Sequence, residues 1–479
     1  MRPLEALLWG AELLAVVAAI LLPVSVGRWG RRIACLPALI AAVQALAEGW
    51  RWQMIPAEVL SLLLLAIALY RPRRYGGVGP RFRRTDAAWL VLGAGALLLT
   101  ALPPLALPVF RFPTPAGPYA IGTVTYRWTD PSRAEFFTDN PADKRELMVQ
   151  LWYPAKPTGA TPARYIEDPS TLAPLARLLQ LPTSLFSYLR FVATHAVPGA
   201  PIAESPARFP LLIFSPGRGG FRQHNTFEVE TLVAEGYVVA GIDHPYAAGT
   251  VVFPDGRRVE LDPRMMERDF LDRAIPYLAQ DVSFTLDRLA LLDRDDPDRR
   301  LTGRLELDRI GMFGLSLGGA VTAEACHRDG RLGACLVMDV FTPADVVADG
   351  LRQPVLWLSR DAATMRGEGW HDADIDELHK TMRATYDRLK GDRYIVLVPG
   401  MFHQNFSDFP LAVPSPLGRW LGLIGPIDAV RGQAITNAYA LAFFGRYLKG
   451  EPATLLDGPA PQYPEVQFDS RRGAAAEPR

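Results

Sequence analysis

Ser316 occupies the centre of a G-x-S-x-G pattern, and residue types in this pattern can supply a nucleophile. Residues 314–318 are GLSLG, between the apolar run 310–313 and a helix-forming stretch at 317–328. A serine at such a strand-to-helix turn is pushed out at the top of a sheet, where its hydroxyl can attack a carbonyl carbon. Glycines are also common where a strand and a helix simply pack closely. The pattern therefore predicts chemistry only if a base, an acid and an oxyanion site accompany the serine.

His403 is the predicted base. A serine nucleophile needs a histidine to accept its proton and a carboxylate to orient that histidine. His403 comes three residues after Gly400, in the turn that ends the apolar run 394–398, so it belongs to a loop at the carboxyl edge of a sheet. Three other histidines also follow the serine, but they lie far down the elbow helix or in the polar stretch 366–391: His327, His371 and His379.

Two carboxylates are candidates for the acid. Asp339 ends the strand after the elbow helix, and Asp361 follows the next strand in the segment LSRDA. Both satisfy the chain order of serine, acid and histidine. Either aspartate could instead be a turn or helix-cap residue, so the pattern alone leaves the choice open.

An oxyanion hole needs two backbone N–H groups aimed at the developing negative charge. Leu317 follows the nucleophile at the start of a helix, where N–H groups are unpaired. The segment 213–221, IFSPGRGGF, is a strand followed by three glycines that allow the backbone to approach closely. The N–H groups of Arg218 and Leu317 are therefore the predicted donors. The Arg218 side chain could meet an anionic group or simply be exposed.

These residues need a parallel sheet to bring them together. Apolar, β-branched runs predict buried strands, at 146–154, 209–215, 236–243, 310–314, 333–340, 354–359 and 394–400. Helical patterns fall between them, notably at 265–293 and 317–328. This alternation predicts an α/β fold with a mostly parallel sheet and helices on both faces. We assign the catalytic domain to 111–462, with segment 158–208 capping or bordering the site and a disordered tail at 463–479.

The first 110 residues predict a transmembrane region. Apolar stretches at about 4–26, 33–50, 54–70 and 88–110 are each near the length that spans a bilayer. Four in succession exclude a lone signal peptide. Arginines concentrate in the loops after the first and third stretches, which predicts that those loops are cytoplasmic and that the large domain is extracytoplasmic. We therefore predict a multi-pass membrane protein with the bilayer as a partner, the abundant arginine being typical of a GC-rich bacterial genome.

Charge and cysteine content exclude several other classes. The formal net charge is zero, with no basic block, so no nucleic-acid partner is expected. Cys35, Cys326 and Cys335 form no metal-ligand pattern, and neither a metal nor a cofactor is predicted. A bridge between Cys326 and Cys335 stays open, although buried free thiols are the simpler expectation.

Four segments resemble the plasma platelet-activating factor acetylhydrolase family: SPGRGGFR, GLSLGG, the Met338-Asp339 pair and above all HQNFSDF at 403–409. The resemblance covers about 145–450. It implies an α/β-hydrolase fold and a cofactor-free lipase that cleaves short or oxidised sn-2 acyl chains of phospholipids. It also favours Asp339 as the acid, beside Ser316, His403 and the N–H groups of Arg218 and Leu317.

Departures from that family keep other functions open. Leu315 and Leu317 stand where the family has histidine and phenylalanine around the serine, and Pro216 stands where it has another histidine. These changes alter the wall of the site, so a broad carboxylesterase is an alternative. The segment DHPY at 243–246 also occurs in polyester and cutinase-like hydrolases. A further alternative, from another class, is a membrane sensor or assembly protein with an inactive hydrolase domain.

Overall fold

The computed structural model describes residues 1–21, 27–70, 84–178 and 180–473. The chain forms two compact units. The first comprises Met1–Phe110, Leu185–Val192 and Ala412–Leu417, and the second comprises Arg111–Ser184, Ala193–Leu411 and Gly418–Arg479.

The first unit is built on four helices: α1 (Pro3–Leu21), α2 (Gly27–Gln44), α3 (Ile55–Tyr70) and α4 (Arg84–Ala106). Within the described ranges, three segments are long and apolar enough to cross a membrane, at Arg32–Gly49, Trp52–Leu69 and Ala88–Ala106. The first predicted span, 4–26, extends past α1 into 22–26, which lie outside the described residues. Most of the arginines that predict the orientation, at 71–83, also lie outside them.

Polar groups lie inside this unit and apolar side chains lie on its surface. Arg51 and Glu5 form a fully buried ion pair at 2.6 Å, and Ser61 Oγ donates to Glu12 Oε1 at 3.0 Å. By contrast, Leu39, Leu62 and Leu98 are each more than 60% exposed, at 63%, 61% and 67%. This distribution is the reverse of a water-soluble bundle, and it is the distribution expected of helices that face lipid.

The second unit is organised around a ten-stranded sheet. Its strands are β1 (Ala120–Ala134), β2 (Lys144–Ala155), β3 (Ala196–Pro198), β4 (Phe209–Ser215), β5 (Val238–Asp243), β8 (Leu305–Leu315), β9 (Leu332–Met338), β10 (Val355–Ser359), β11 (Arg393–Leu397) and β12 (Gln467–Arg471), while β6 (Val251–Val252) and β7 (Arg258–Val259) form a separate hairpin. The order across the sheet is β12-β11-β10-β9-β8-β4-β5-β2-β1-β3. Strands β5, β4, β8, β9, β10 and β11 are parallel neighbours, which confirms the mostly parallel sheet.

Helices cover both faces of this sheet. Those that contribute to the cores on its two faces are α6 (Thr226–Ala234), α7 (Arg268–Arg294), α8 (Leu317–Arg328), α9 (Ala344–Asp349), α11 (Asp372–Arg388) and α14 (Ala429–Phe444). The other helices after residue 110 are α5 (Ala173–Leu178), α10 (Ala362–Glu368), α12 (Phe409–Ala412) and α13 (Ser415–Trp420). Alternate residues of β4 enter different cores: Leu211 and Ile213 pack with α7 and α8, and Leu212 and Phe214 pack with α6 and α14. The central strands are continuously apolar because both faces of the sheet are buried.

The expectation of a disordered tail from residue 463 is wrong for β12. Gln467–Arg471 pairs antiparallel with β11 along its whole length. Phe468 packs against the core, and Asp469 accepts hydrogen bonds from Arg383 and Tyr386 at 2.5 and 3.0 Å. The segment is mostly polar, so its sequence did not indicate a strand. An edge strand needs only one apolar face, and here Phe468 supplies it. Residues 474–479 lie outside the described residues.

The expectation of free thiols at Cys326 and Cys335 is also wrong. The two cysteines form a disulfide with a Cα–Cα distance of 6.6 Å. The bridge joins the last turn of α8 to the middle of β9. The two cysteines meet because β9 follows α8 in the chain and runs back beside it. Cys35 is a free, exposed cysteine.

Candidate functional site

Ser316 lies at a strained turn between β8 and α8. Its backbone has φ 57° and ψ −126°, which few non-glycine residues adopt. A Cβ at Gly314 would lie 2.2 Å from Gly318 O, and a Cβ at Gly318 would lie 1.9 Å from Ser215 O. The two glycines of the pattern are therefore required by close backbone approach. The serine itself is partly exposed at the carboxyl edge of the sheet.

Asp339 lies next to this turn on the neighbouring strand. Leu315 of β8 is in register with Met338 of β9, and Ser316 N donates to Met338 O at 2.9 Å. The residues that follow these two positions, Ser316 and Asp339, both have positive φ angles, 57° and 51°. Serine and aspartate thus leave adjacent parallel strands side by side.

His403 contacts Asp339 directly. Its Nδ1 lies 2.5 Å from Asp339 Oδ2, and its side chain is 19% exposed. Because a carboxylate only accepts, Nδ1 carries the hydrogen and leaves Nε2 of the neutral ring as an acceptor. The structure therefore unites the sequence-predicted base with one of the two candidate acids.

The other polar residues of HQNFSDF hold the loop that carries His403. Asn405 Oδ1 accepts from Phe402 N at 3.0 Å and from Gly425 N at 2.8 Å. The Asp408 carboxylate accepts from the first two N–H groups of α6, Thr226 N at 2.8 Å and Phe227 N at 3.0 Å. The motif is specific because one residue contacts Asp339 and two others fix its position.

Arg360 is a partner of Asp339 that the sequence analysis missed. Its Nε donates to Asp339 Oδ1 at 2.9 Å and its Nη2 lies 2.8 Å from Oδ2, while Ser359 Oγ also donates to Oδ1 at 2.9 Å. Burial alone would raise the pKa of Asp339, but the Arg360 charge and the hydrogen bond from His403 outweigh it and hold that pKa well below its usual value. The carboxylate is therefore ionised and accepts the hydrogen of His403 Nδ1.

Asp361, the second-choice acid, has a different position. Its carboxylate accepts from Ala363 N at 2.9 Å and Thr364 N at 3.0 Å, which makes it the N-cap of α10. In LSRDA the arginine, and not the aspartate, reaches the site. A buried arginine at the end of β10, the strand beside β9, is the signal that could have indicated this.

Residues 216–220, hereafter the glycine loop, pass over the serine. A Cβ at Gly217 would lie 3.2 Å from the Ser316 Cβ. Among the described residues, none accepts a hydrogen bond from Arg218 N or Leu317 N. The Arg218 guanidinium donates to Met265 O at 2.9 Å, so one of its N–H groups is bound within the protein. The N–H groups of Arg218 and Leu317 are thus both without an acceptor in the described part of the chain.

The side chains of Ser316 and His403 are not hydrogen-bonded to each other in the described structure. Within the part of the chain that the structure describes, no hydrogen bond links Ser316 Oγ to His403 Nε2. Such bonds are commonly long in unliganded hydrolases and shorten when substrate binds. His224 lies close enough for burial and the His403 charge to lower its pKa to about 4. His224 is therefore a neutral neighbour of His403 near pH 7.

The remaining candidate histidines lie elsewhere. His379 Nε2 lies 2.8 Å from Arg360 O, and His327 Nδ1 lies 3.2 Å from Gly350 O. In the described ranges, no group of three or more histidine, cysteine or acidic side chains is arranged to hold a metal ion.

Comparison with known proteins gives this arrangement a family. The family model for platelet-activating factor acetylhydrolase, isoform II, matches residues 107–270 and 278–452. The platelet-activating factor acetylhydrolase of Cavia porcellus is 23% identical over 424 residues, which cover 82% of this chain and 90% of that protein. A probable 1-alkyl-2-acetylglycerophosphocholine esterase of Arthroderma benhamiae is 27% identical over 399 residues, covering 75% of this chain and 94% of that protein.

A solved structure agrees with these relatives. The ferulic acid esterase from Streptomyces cinnamoneus is similar with a TM-score of 0.61 and 33% identity, over 75% of this chain and 99% of that chain. All three similar proteins are ester hydrolases by name, and the α/β-hydrolase fold expected from the motifs is confirmed for the second unit. The chain is an ester hydrolase and belongs to the platelet-activating factor acetylhydrolase, isoform II, family.

Proposed function

We propose that this chain is a membrane-anchored serine esterase of the platelet-activating factor acetylhydrolase type, acting on short or oxidised sn-2 acyl chains of phospholipids. The observation that carries the proposal is the 2.5 Å contact between His403 Nδ1 and Asp339 Oδ2, beside a serine at a strained elbow. The names of the relatives in Cavia porcellus and Arthroderma benhamiae support the substrate class.

The mechanism follows from the charges and donors at the site. Ser316 Oγ attacks the ester carbonyl carbon while His403 Nε2 takes the serine proton, and Asp339 stabilises the imidazolium that forms. The N–H groups of Arg218 and Leu317 bind the tetrahedral oxyanion. The alcohol departs with the proton from His403, which leaves an acyl-enzyme on Ser316. Water, activated by His403, then attacks the acyl carbon and releases the carboxylic acid.

A broad carboxylesterase is the second candidate. The 33% identity to a ferulic acid esterase favours it, as do Leu315 and Leu317 on either side of the nucleophile. Acyl chains of two to sixteen carbons, presented on phosphocholine lipids and on p-nitrophenyl carriers, separate the two candidates. Turnover of short-chain phospholipids supports the first, and activity on p-nitrophenyl esters without phospholipid turnover supports the second.

We also propose that the first unit crosses the membrane four times and that the second unit is extracytoplasmic. Three segments of suitable length and composition support the anchoring. The Cys326 to Cys335 disulfide supports the location, because disulfides persist in oxidising compartments outside the cytoplasm. Anchoring would keep the site close to lipid substrates and raise their local concentration.

A fluorophosphonate probe tests the catalytic proposal on the full-length chain in detergent. We expect the probe to label the wild type at Ser316 and to leave Ser316→Ala unlabelled and inactive toward esters. Wild-type protein that stays unlabelled would support the alternative of an inactive hydrolase domain in a sensor or assembly protein.

A further inference from the structure

A second serine–histidine–aspartate arrangement lies buried behind the glycine loop. His244 Nε2 lies 3.0 Å from Ser215 Oγ, and His244 Nδ1 lies 2.8 Å from Asp281 Oδ2. Ser215 and Asp281 have no exposed surface, and His244 is 3% exposed. No substrate can reach this serine, so the arrangement cannot be a second nucleophilic site.

Two arginines pair with the aspartate of this arrangement. Arg145 binds Asp281 with two hydrogen bonds, Nε to Oδ1 at 3.1 Å and Nη2 to Oδ2 at 2.6 Å. Arg133 Nη2 donates to Oδ1 at 2.8 Å. Because the Asp281 carboxylate only accepts, the contact between them places a hydrogen on His244 Nδ1. In the tautomer that carries this single hydrogen, Nε2 accepts and the Ser215 hydroxyl donates to it.

The first two residues of the segment DHPY, at 243–246, contact the residues on either side of the glycine loop. His244 holds Ser215, directly before the loop. Asp243 holds Arg222, two residues after it, accepting from Arg222 N at 2.6 Å and forming an ion pair with the guanidinium. Pro245 O accepts from Arg145 Nη1 at 3.1 Å, so the same arginine fixes both the segment and Asp281.

Backbone hydrogen bonds add to these contacts between Ser215 and Arg222. We call the whole set of contacts the clamp. Gly219 N donates to Ala247 O at 2.9 Å, and Gly249 N donates to Gly220 O at 2.7 Å. The loop that follows β5 is therefore hydrogen-bonded to the glycine loop at Gly219 and at Gly220. Arg218 N, the proposed oxyanion donor, lies in the middle of the clamped stretch and has no acceptor of its own among the described residues.

We propose that His244 is a positioning residue, which together with Asp281 and Ser215 holds the Arg218 N–H in the direction required by the tetrahedral oxyanion. This inference rests on the proposed function, because it assigns a purpose to the oxyanion donor of that mechanism. A misplaced donor weakens binding of the transition state more than binding of the substrate, since the ground-state carbonyl carries little charge.

Two variants test the clamp in the full-length protein. His244→Asn keeps an amide donor toward Asp281 and loses the contact with Ser215, and Ser215→Ala removes one hydroxyl only. The matched control is His195→Asn, because His195 is also paired with a buried carboxylate, Glu230 at 2.7 Å, but lies before β4. The measurements are kcat and KM on a short-chain ester, the inhibition constant of a trifluoromethyl ketone that forms a tetrahedral adduct, and fluorophosphonate labelling.

For His244→Asn we expect kcat to fall about 100-fold and for Ser215→Ala about tenfold, with KM within about twofold. The affinity for the trifluoromethyl ketone should fall by the same factors, while Ser316 still labels to completion and His195→Asn is unchanged. Unchanged kcat and ketone affinity in folded Ser215→Ala and His244→Asn would overturn the inference. Wild-type protein that neither hydrolyses esters nor labels would overturn the proposed function, and the inference with it.

Discussion

His403 Nδ1 and Asp339 Oδ2 lie 2.5 Å apart, whereas the carboxylate of Asp361 is occupied by the N–H groups that begin α10. The two aspartates follow the ends of adjacent parallel strands, β9 and β10, and both satisfy the chain order of a catalytic triad. Only the contact with His403 separates their roles, which makes the pair a matched test of the site.

Replacing each aspartate by asparagine should have different consequences. Asp339→Asn presents an amide to His403 and favours the wrong tautomer, so kcat should fall by about 10⁴. Asp361→Asn should keep kcat within a few-fold and, since asparagine also caps helices, change stability little. Steady-state kinetics and thermal melts of both variants check this. Equal activity loss in the two variants would contradict the assignment of the acid.

Arg360→Met should move the acid limb of activity to higher pH. Burial raises the pKa of Asp339, and the Arg360 charge is the first of the groups that lower it. Because the folded pKa lies below the unfolded one, ionised Asp339 stabilises the protein above its ordinary pKa, and that contribution is lost as pH falls below it. Without the arginine the folded pKa of Asp339 rises, so this contribution to stability becomes smaller and kcat/KM should fall at a higher pH than in the wild type. A pH–rate profile that coincides with the wild type would contradict the electrostatic role of Arg360.

His224 should make the protein less stable in mild acid. Its pKa falls from 6.5 to about 4 in the folded chain, through burial first and then the His403 charge. Between those values the unfolded chain binds one proton more, so the free energy of unfolding decreases as pH drops from 6.5 toward about 4. Denaturant midpoints at about pH 7 and about pH 5 should therefore differ more in the wild type than in His224→Gln. Equal differences in the two proteins would mean that His224 titrates normally.

Gly318→Ala should prevent folding of the elbow. The new Cβ would lie 1.9 Å from Ser215 O, a backbone atom that cannot move aside. Gly330→Ala is the control, because nothing lies within 4 Å of a Cβ at that position. We expect Gly318→Ala to give little folded protein and Gly330→Ala to melt like the wild type. A well-folded, active Gly318→Ala protein would show that the turn can relax.

Thiol labelling should distinguish the three cysteines. Under denaturing, non-reducing conditions a maleimide should modify Cys35 alone, and prior reduction should add two further labels, at Cys326 and Cys335. Mass spectrometry of protein purified from the membrane fraction measures this. Three labels without reduction would mean that the bridge does not form in the cell, and would remove the support it gives to an extracytoplasmic second unit.

The sequence predicted what depends on local pattern. Apolar runs located the seven strands that carry or flank the site, and the glycines around Ser316 located the elbow. It could not choose between Asp339 and Asp361, because both follow apolar strands and both side chains are short acids. That choice depends on which way the backbone turns after each strand, and the positive φ of Asp339 is a tertiary property.

The same limitation concealed the supporting groups. Arg360 and Asp281 are charged residues without exposed surface, and sequence patterns treat charged residues as exposed. They are buried because each is paired across elements that are distant along the chain, such as Arg145 and Asp281, which are separated by 136 positions. Only the assembled fold brings these partners together.

The strand at Gln467–Arg471 protects one edge of the sheet. It is one of the two edge strands of the sheet, and it pairs with the backbone of β11 from Arg393 to Leu397. A version of the chain shortened to residue 462, where a flexible end could be assumed, would leave a row of unpaired N–H and C=O groups on an apolar strand. An unpaired edge strand of this kind pairs with strands of other chains. The shortened protein should therefore self-associate, and a C-terminal purification tag should follow the strand and not replace it.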